Sequence, residues 1–286
     1  MNALVLRKLF FKIDSWIQKK ASFINHQEVI KDIYFEVEIS VGYFLILSIA
    51  NLIALGGLLL NSAPVIIGAM LISPLMGPIL NVGFAFITGD KFVWEKSIKK
   101  IAISVALTLI VAAIATYLSP LKDVTNEIIS RTRPNLYDLG ISFLAGCAGA
   151  AAICTKKSYL TIVPGVAIAT AVIPPLSVAG FGIGTGNFNI LSGGIFLFFT
   201  NFVAIILSTC IVFYLFGFRP STTTEEVSQL KKRIIFLAFV LFAISIPLIY
   251  TLHKSISEIK LRKNVESALK KNLIKRDILI CLLSTI

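Results

Sequence analysis

Two stretches of the chain carry residue types that could do chemistry in an apolar setting. They are GAMLISPLMGPILNVGFAFITGD, Gly68 to Asp90, and GVAIATAVIPPLSVAGFGIGTGN, Gly165 to Asn187. Each is apolar enough to lie in a membrane, and each is interrupted near its middle. The first interruption holds Ser73, Pro74, Gly77 and Pro78; the second holds Thr170, Pro174 and Pro175. Proline lacks an N–H and its ring presses on the carbonyl one turn earlier, so each interruption frees backbone polar groups. In lipid these cost several kcal/mol apiece unless protein, water or a bound solute satisfies them. Pro78 and Pro175 suit the first turn of a second half-helix. That half would aim a partial positive charge at the bilayer centre, while the preceding half aims free carbonyls there. Two such breaks facing each other would make a substrate cavity for a small solute or ion, with Ser73, Asn81, Thr170 and Ser177 as side-chain contacts. The plainer reading is a pair of packing kinks, with Ser73 and Thr170 back-bonding to carbonyls. Asn51 and Asn201 are further polar contacts of the same kind, and any of these residues also serves as an interhelical hydrogen bond.

Shifted by 97 residues, the two stretches superpose without a gap. Gly68 meets Gly165, Ser73 meets Thr170, Pro78 meets Pro175, Gly83 and Phe84 meet Gly180 and Phe181, and Asp90 meets Asn187. The surrounding hydropathy aligns as well, so an internal repeat of three spans is expected, each with a broken middle helix. An odd number of crossings flips the second copy, which makes the repeat inverted. Re-entrant hairpins are the alternative, but they would place Lys91, Lys96, Lys99 and Lys100 outside, against the positive-inside rule. Inverted repeats with interrupted helices at matching positions point to a transport site near the midplane.

The elements that must position these breaks are membrane helices. Of 286 residues 56% are hydrophobic and 15% charged, with a mean hydropathy of +0.87. The charges fall in short clusters between long apolar runs, as in an all-α polytopic membrane protein rather than a barrel of alternating strands. The organisation expected is an amphipathic interfacial segment over 1–40, a first transmembrane repeat over 41–118, and a connecting loop over 119–137. A second repeat follows over 138–217, then a loop and seventh span over 218–252 and a basic amphipathic segment over 253–286. The spans themselves are read at Val41–Leu60, Ala63–Thr88, Ile101–Leu118, Asp138–Cys154, Leu160–Gly184, Ile190–Gly217 and Ile234–Leu252.

Charge sets the orientation. With the N-terminus inside, roughly sixteen Lys and Arg lie on inner segments before the tail, against about three outside. The tail's eight or so basic residues run against this, because seven crossings put them outside. A multi-pass protein of a prokaryotic plasma membrane with a cytoplasmic N-terminus is the simplest assignment. The net charge of +12 comes from these flanks, which touch lipid headgroups, and no nucleic-acid partner is expected.

Ionisable residues inside the spans are almost absent, with Asp90 and Asp138 at ends, so a midplane carboxylate relay is not expected. In the loop, Glu127, Arg131 and Arg133 are candidates for a gate, or for solvated salt bridges. Cys147, Cys154, Cys210 and Cys281 lack any CxxC spacing and read as packing residues. His26 and His253 have no partner spacing for a metal. With no nucleophile–base pair, phosphate loop or zinc motif, neither a cofactor nor enzymatic activity is expected. The run LAGCAGAAA puts Gly146, Gly149 and Ala150 on neighbouring turns, a tight contact within the bundle or between subunits of a homo-oligomer.

Four segments resemble the signature segments of the domain of unknown function 389 family of prokaryotic integral membrane proteins. They are LGGLLLNSAPVIIGAMLISPLMGPI, RTRPNLYDLGISFLAGCAGAAA, VPGVAIATAVIPPLSVAGFGI and LFFTNFVAIIL. The resemblance implies a membrane fold and carries over no substrate or catalytic residue. The function expected from the residues is a transporter or channel for a small solute or ion. The alternative is a membrane scaffold or sensor acting through its amphipathic ends.

Overall fold

The structure, a computed structural model, describes residues 25–133, 135–155 and 158–218 together with Phe239 and Ala243; over 158–166 it describes the backbone alone. Among the described residues the chain is helical, with no strand. Five helices are long and apolar enough to cross a membrane, and a bent pair makes up to six. The seventh span expected at 234–252 lies outside the described residues except for Phe239 and Ala243, and so do residues 1–24 and 253–286.

Helix α1, His26–Glu36, buries Val29 and Ile33, with Val37 continuing the same stripe. Tyr34 and Phe35 stay exposed on its other side. The helix falls within the stretch 1–40 expected to be amphipathic, and it is fastened at both ends. His26 Nε2 sits 3.0 Å from the carbonyl of Phe216. At the other end the buried Lys100 donates to the carbonyls of Glu36 at 2.8 Å and Glu38 at 2.9 Å. Its ammonium also lies 4.2 Å from the Tyr43 ring centre. A cation at a helix C-terminus meets the carbonyls the helix leaves unbonded.

Helix α2, Val41–Leu59, turns at Asn61, whose φ of 53° is left-handed. It leads into α3, Ala63–Ile72, with proline in its first turn. After Ser73–Leu75 the chain resumes as α4, Met76–Thr88, at 58° to α3. The first interruption is therefore a break in the helix. Helix α5, Lys91–Leu118, begins ten residues before the expected Ile101, because the Asp90 carboxylate accepts from the Val93 N–H at 3.1 Å and caps it. The loop holds a short α6, Asn126–Ser130, capped by Thr125. It is pinned to the α2–α3 turn by Thr125 Oγ1 donating to Leu58 and by the Glu127 N–H donating to Asn61 Oδ1. Then come α7, Leu136–Thr155, α8, Ser158–Thr185, and α9, Phe188–Leu215.

Helix α8 corrects the expectation of two broken middle helices. It runs unbroken through Pro174 and Pro175, so the two aligned stretches differ at the feature that suggested a repeat. Two physical causes keep it whole. The first is a replacement donor. Pro175 has no N–H for the carbonyl of Ala171, one turn earlier, and Asn201 Nδ2 donates to that carbonyl at 2.8 Å instead. The second is confinement. Over 167–185 the helix is 78% buried, against 28% for the apolar window of α5, and it packs on α2, α5, α7 and α9. Close approach needs small residues. A Cβ on Gly194 would fall 2.7 Å from the Pro175 carbonyl, and one on Gly180 would fall 2.4 Å from Ala112 Cβ. A kinked helix would lose these seats on both sides.

Candidate functional site

The residues expected to form one site are divided between several places. At the first break, Ser73 Oγ accepts from the Leu75 N–H at 3.4 Å, closing a local turn. Pro74 is half-buried, while Gly77, Pro78 and Asn81 are buried in α4. Asn81 is fully buried with neither amide atom hydrogen-bonded. Gly77 is pressed by α1: a Cβ there would fall 1.9 Å from a Glu36 carboxylate oxygen. Much of the Glu36 side chain is exposed, but its charged end is turned inward. That burial raises its carboxyl above the usual range, partly offset by Lys100 and reinforced by Asp32. Ser177, on α8, is tied up in packing. Its hydroxyl donates to Asn51 Oδ1 at 2.7 Å and lies 3.1 Å from the Ile173 carbonyl, while Asn51 Nδ2 donates to the Thr108 carbonyl at 2.9 Å. This buried trio joins α2, α5 and α8.

Thr170 lies elsewhere, in a cavity of about 410 Å³ between α7, α8 and α9. The volume is within the usual range for small-molecule sites. At its mouth stand Glu127, Ser130, Arg131 and Asp138; Ile141 and Leu197 form apolar walls; Ser142, Thr170, Ala171 and Asn201 line the rest. The two loop residues Glu127 and Arg131 thus join Thr170 at one site, whereas the exposed Arg133 is not among its lining residues. None of Ser73, Pro74, Gly77, Pro78, Asn81, Pro174, Pro175 or Ser177 lines it either.

Two features give this cavity its character. Ser142 and Asn201 line the cavity, and their buried Oγ and Oδ1 atoms have no hydrogen-bond partner. Buried polar atoms are nearly always paired, and an orphan costs about 1–3 kcal/mol. The second feature is depth. Thr170 and Asn201 sit near the midpoints of two 28-residue helices, roughly 20 Å along each from the loop end at about 1.5 Å per residue. The cavity therefore runs from the 119–137 loop to the middle of the bundle. A second groove, of about 640 Å³, lies between α1 and the start of α5, lined by Lys31, Tyr34, Phe35, Glu38 and Lys96 among others. Its residues are exposed apart from Val37, and no orphaned buried atom faces it.

Ser142 was not legible as a site residue, being one hydroxyl in a helix of small residues. Its one signal is a position four residues after Asp138, which puts both on one helical face. The small residues of α7 are used inside the bundle. A Cβ on Gly146 would meet Ser208 Oγ at 2.1 Å and the Ile205 carbonyl at 2.8 Å, and one on Gly149 would meet Ile168 and Leu80.

Residues 70–207 match the family model described as Domain of unknown function (DUF389). An uncharacterized protein of Methanocaldococcus jannaschii is 30% identical over 176 residues, which is 62% of this chain and 54% of that protein. The chain thus spans about half the length of the curated relative it matches. No solved structure matches. The family match takes in α4 to α8, the end of α3 and most of α9, and with them every residue lining the mid-bundle cavity. Over residues 70–207, a stretch of apolar helices, the chain is similar to the domain of unknown function 389 family.

Proposed function

We propose that this protein is a transporter or channel that passes a small solute or ion through the cavity between α7, α8 and α9. The observation that carries the reading is the pair of buried, unpartnered atoms, Ser142 Oγ and Asn201 Oδ1, on residues that line a cavity reaching mid-bundle. A solute that satisfies them there repays an otherwise standing cost, and the midplane is where transporters bind. Glu127, Arg131 and Asp138 guard the mouth. The unbroken α8 shifts the proposal from two facing breaks to one cavity, with the α3–α4 break as a separate bend at the Glu36 contact. A prokaryotic plasma membrane, a cytoplasmic N-terminus, a tandem inverted repeat and a homo-oligomer belong to the same proposal. A scaffold or sensor is the second reading, favoured by the exposed Tyr34 and Phe35 of α1.

The test replaces the four native cysteines and places a single one at Ser142 or Thr170. Membrane-impermeant thiol reagent is then applied from each side. Labelling from the loop side, and from the opposite side in a fraction of molecules, supports transport. Labelling from the loop side alone makes the cavity a dead end and favours the sensor. Protection of both positions in folded protein removes the transport reading.

A further inference from the structure

We infer that the groove between α1 and the start of α5 binds one membrane phospholipid, by a headgroup that carries both a phosphate and an ammonium. The groove shares no lining residue with the mid-bundle cavity, so lipid binding there is independent of transport.

The groove has a volume of about 640 Å³, within the range of small-molecule sites. Its place along the chain sets it at the membrane boundary. Ile39 stands just before α2, which opens at Val41, and Lys96 stands just before the charge-free run 101–118 of α5. The apolar lining is open: Phe35 is 80% exposed and Phe92 52%, with the exposed Tyr34 and Ile39 beside them. The Tyr34 and Phe92 rings stack at 5.8 Å, and the Lys96 ammonium lies 5.7 Å from the Phe92 ring centre. Aromatic rings and lysines where spans begin are the residues that meet headgroups and the upper acyl chains.

The charged lining decides the headgroup. Acids and bases are mixed around the groove, but several are engaged elsewhere. The Asp90 carboxylate accepts from the Tyr34 hydroxyl and the Val93 N–H. The Glu36 carboxylate packs on Gly77, and Lys100 is held by the carbonyls of Glu36 and Glu38. The charges that line the groove are Lys31, Lys96 and Glu38. Glu38 meets Lys100 through its backbone carbonyl, so its exposed carboxylate is not the group that receives that ammonium. Two ammoniums suit a phosphate, and one carboxylate suits an ammonium. A headgroup with both signs gives each of the three a partner, whereas a purely anionic one leaves Glu38 opposing it. Exposed lysines hold a free anion weakly, because water and salt screen them. A lipid is already confined to this boundary, with its chains beside Phe35 and Ile39.

The experiment uses the full chain in non-ionic detergent, titrated with phosphatidylethanolamine or phosphatidylglycerol of the same chains. Native mass spectrometry counts the bound lipid. The parent protein should bind phosphatidylethanolamine several times more tightly than phosphatidylglycerol. Lys31→Gln and Lys96→Gln should each weaken both lipids about fivefold, while Lys122→Gln, in the opposite loop, changes neither. Glu38→Gln should weaken phosphatidylethanolamine alone, and its retained phosphatidylglycerol binding shows that the groove is intact. Equal or tighter binding of phosphatidylglycerol by the parent overturns the headgroup assignment. Lysine variants that bind like the parent overturn the site. Displacement of the lipid by inorganic phosphate or by soluble phosphoethanolamine makes the ligand a soluble one and overturns the lipid assignment.

Discussion

The donor supplied by Asn201 to α8 makes a quantitative prediction. Pro175 withholds an N–H from the Ala171 carbonyl, and Asn201 replaces it across the helix interface at 2.8 Å. Asn201→Leu removes that donor and orphans a buried carbonyl, at a cost of about 1–3 kcal/mol. It also removes the unpartnered Oδ1, which relieves part of that cost, so the single variant alone is hard to interpret. A cycle with Pro175→Ala separates the two. Alanine restores the helical N–H, the carbonyl regains its partner, and the Asn201 donor becomes redundant. The relief at Oδ1 is common to both arms and cancels. Asn201→Leu should therefore cost about 1–2 kcal/mol more with proline at 175 than with alanine, near the upper end of interhelical hydrogen bonds measured in membranes. That is roughly a 5–30-fold difference in the unfolding equilibrium. Reversible unfolding in mixed micelles, followed by far-ultraviolet circular dichroism on all four proteins, reads it directly. Equal costs in both backgrounds, within about 0.3 kcal/mol, would refute the claim that this side chain holds α8 together.

Two glycines on one helix should respond with opposite signs. Gly146→Ala drives a Cβ to 2.8 Å from the Ile205 carbonyl and should lose about 1–3 kcal/mol, whereas Gly140→Ala meets nothing within 4 Å and should gain about 0.5–1 kcal/mol from helix propensity. The same unfolding assay reads both, and a shared sign would show that α7 is not seated on α9 as described. Lys100→Met removes two charge-assisted bonds to the end of α1, at about 1.5 kcal/mol or more each. It should expose Lys31 to trypsin at a protease concentration that spares the parent protein. The pH dependence at Glu36 has a definite sign. Burial raises its folded-state carboxyl above the unfolded value, so the folded state holds the proton more tightly between the two. Stability should then fall as pH rises from the ordinary carboxylate range through the raised value. Glu36→Gln should flatten that slope in a pH series of unfolding midpoints, and an unchanged slope would show that this carboxyl is not the group responsible.

Hydropathy was enough to find the five helices that are long and apolar enough to cross a membrane, because apolar runs of span length leave few alternatives. The ends were harder. Helix α5 starts at Lys91 rather than Ile101, since a side-chain cap at Asp90 decides where a helix begins and a hydropathy window does not register it. The larger failure concerns Pro174 and Pro175. Local sequence shows what a proline removes and is silent on what a neighbouring helix returns. Ser73, Pro74 and Pro78 lie where the helix breaks, while Pro174 and Pro175 lie within a helix given a replacement donor by Asn201, 26 residues downstream of Pro175. The nitrogen of Asn201 keeps α8 continuous, while its oxygen is buried without a partner on a residue that lines the cavity. A symmetric pair of breaks would have supplied free carbonyls from both stretches. Satisfying the second stretch across the interface leaves the side-chain oxygen of Asn201, near the midpoint of α9, without a partner. The same interaction that keeps the second stretch unbroken therefore determines which atom of Asn201 is left without a partner.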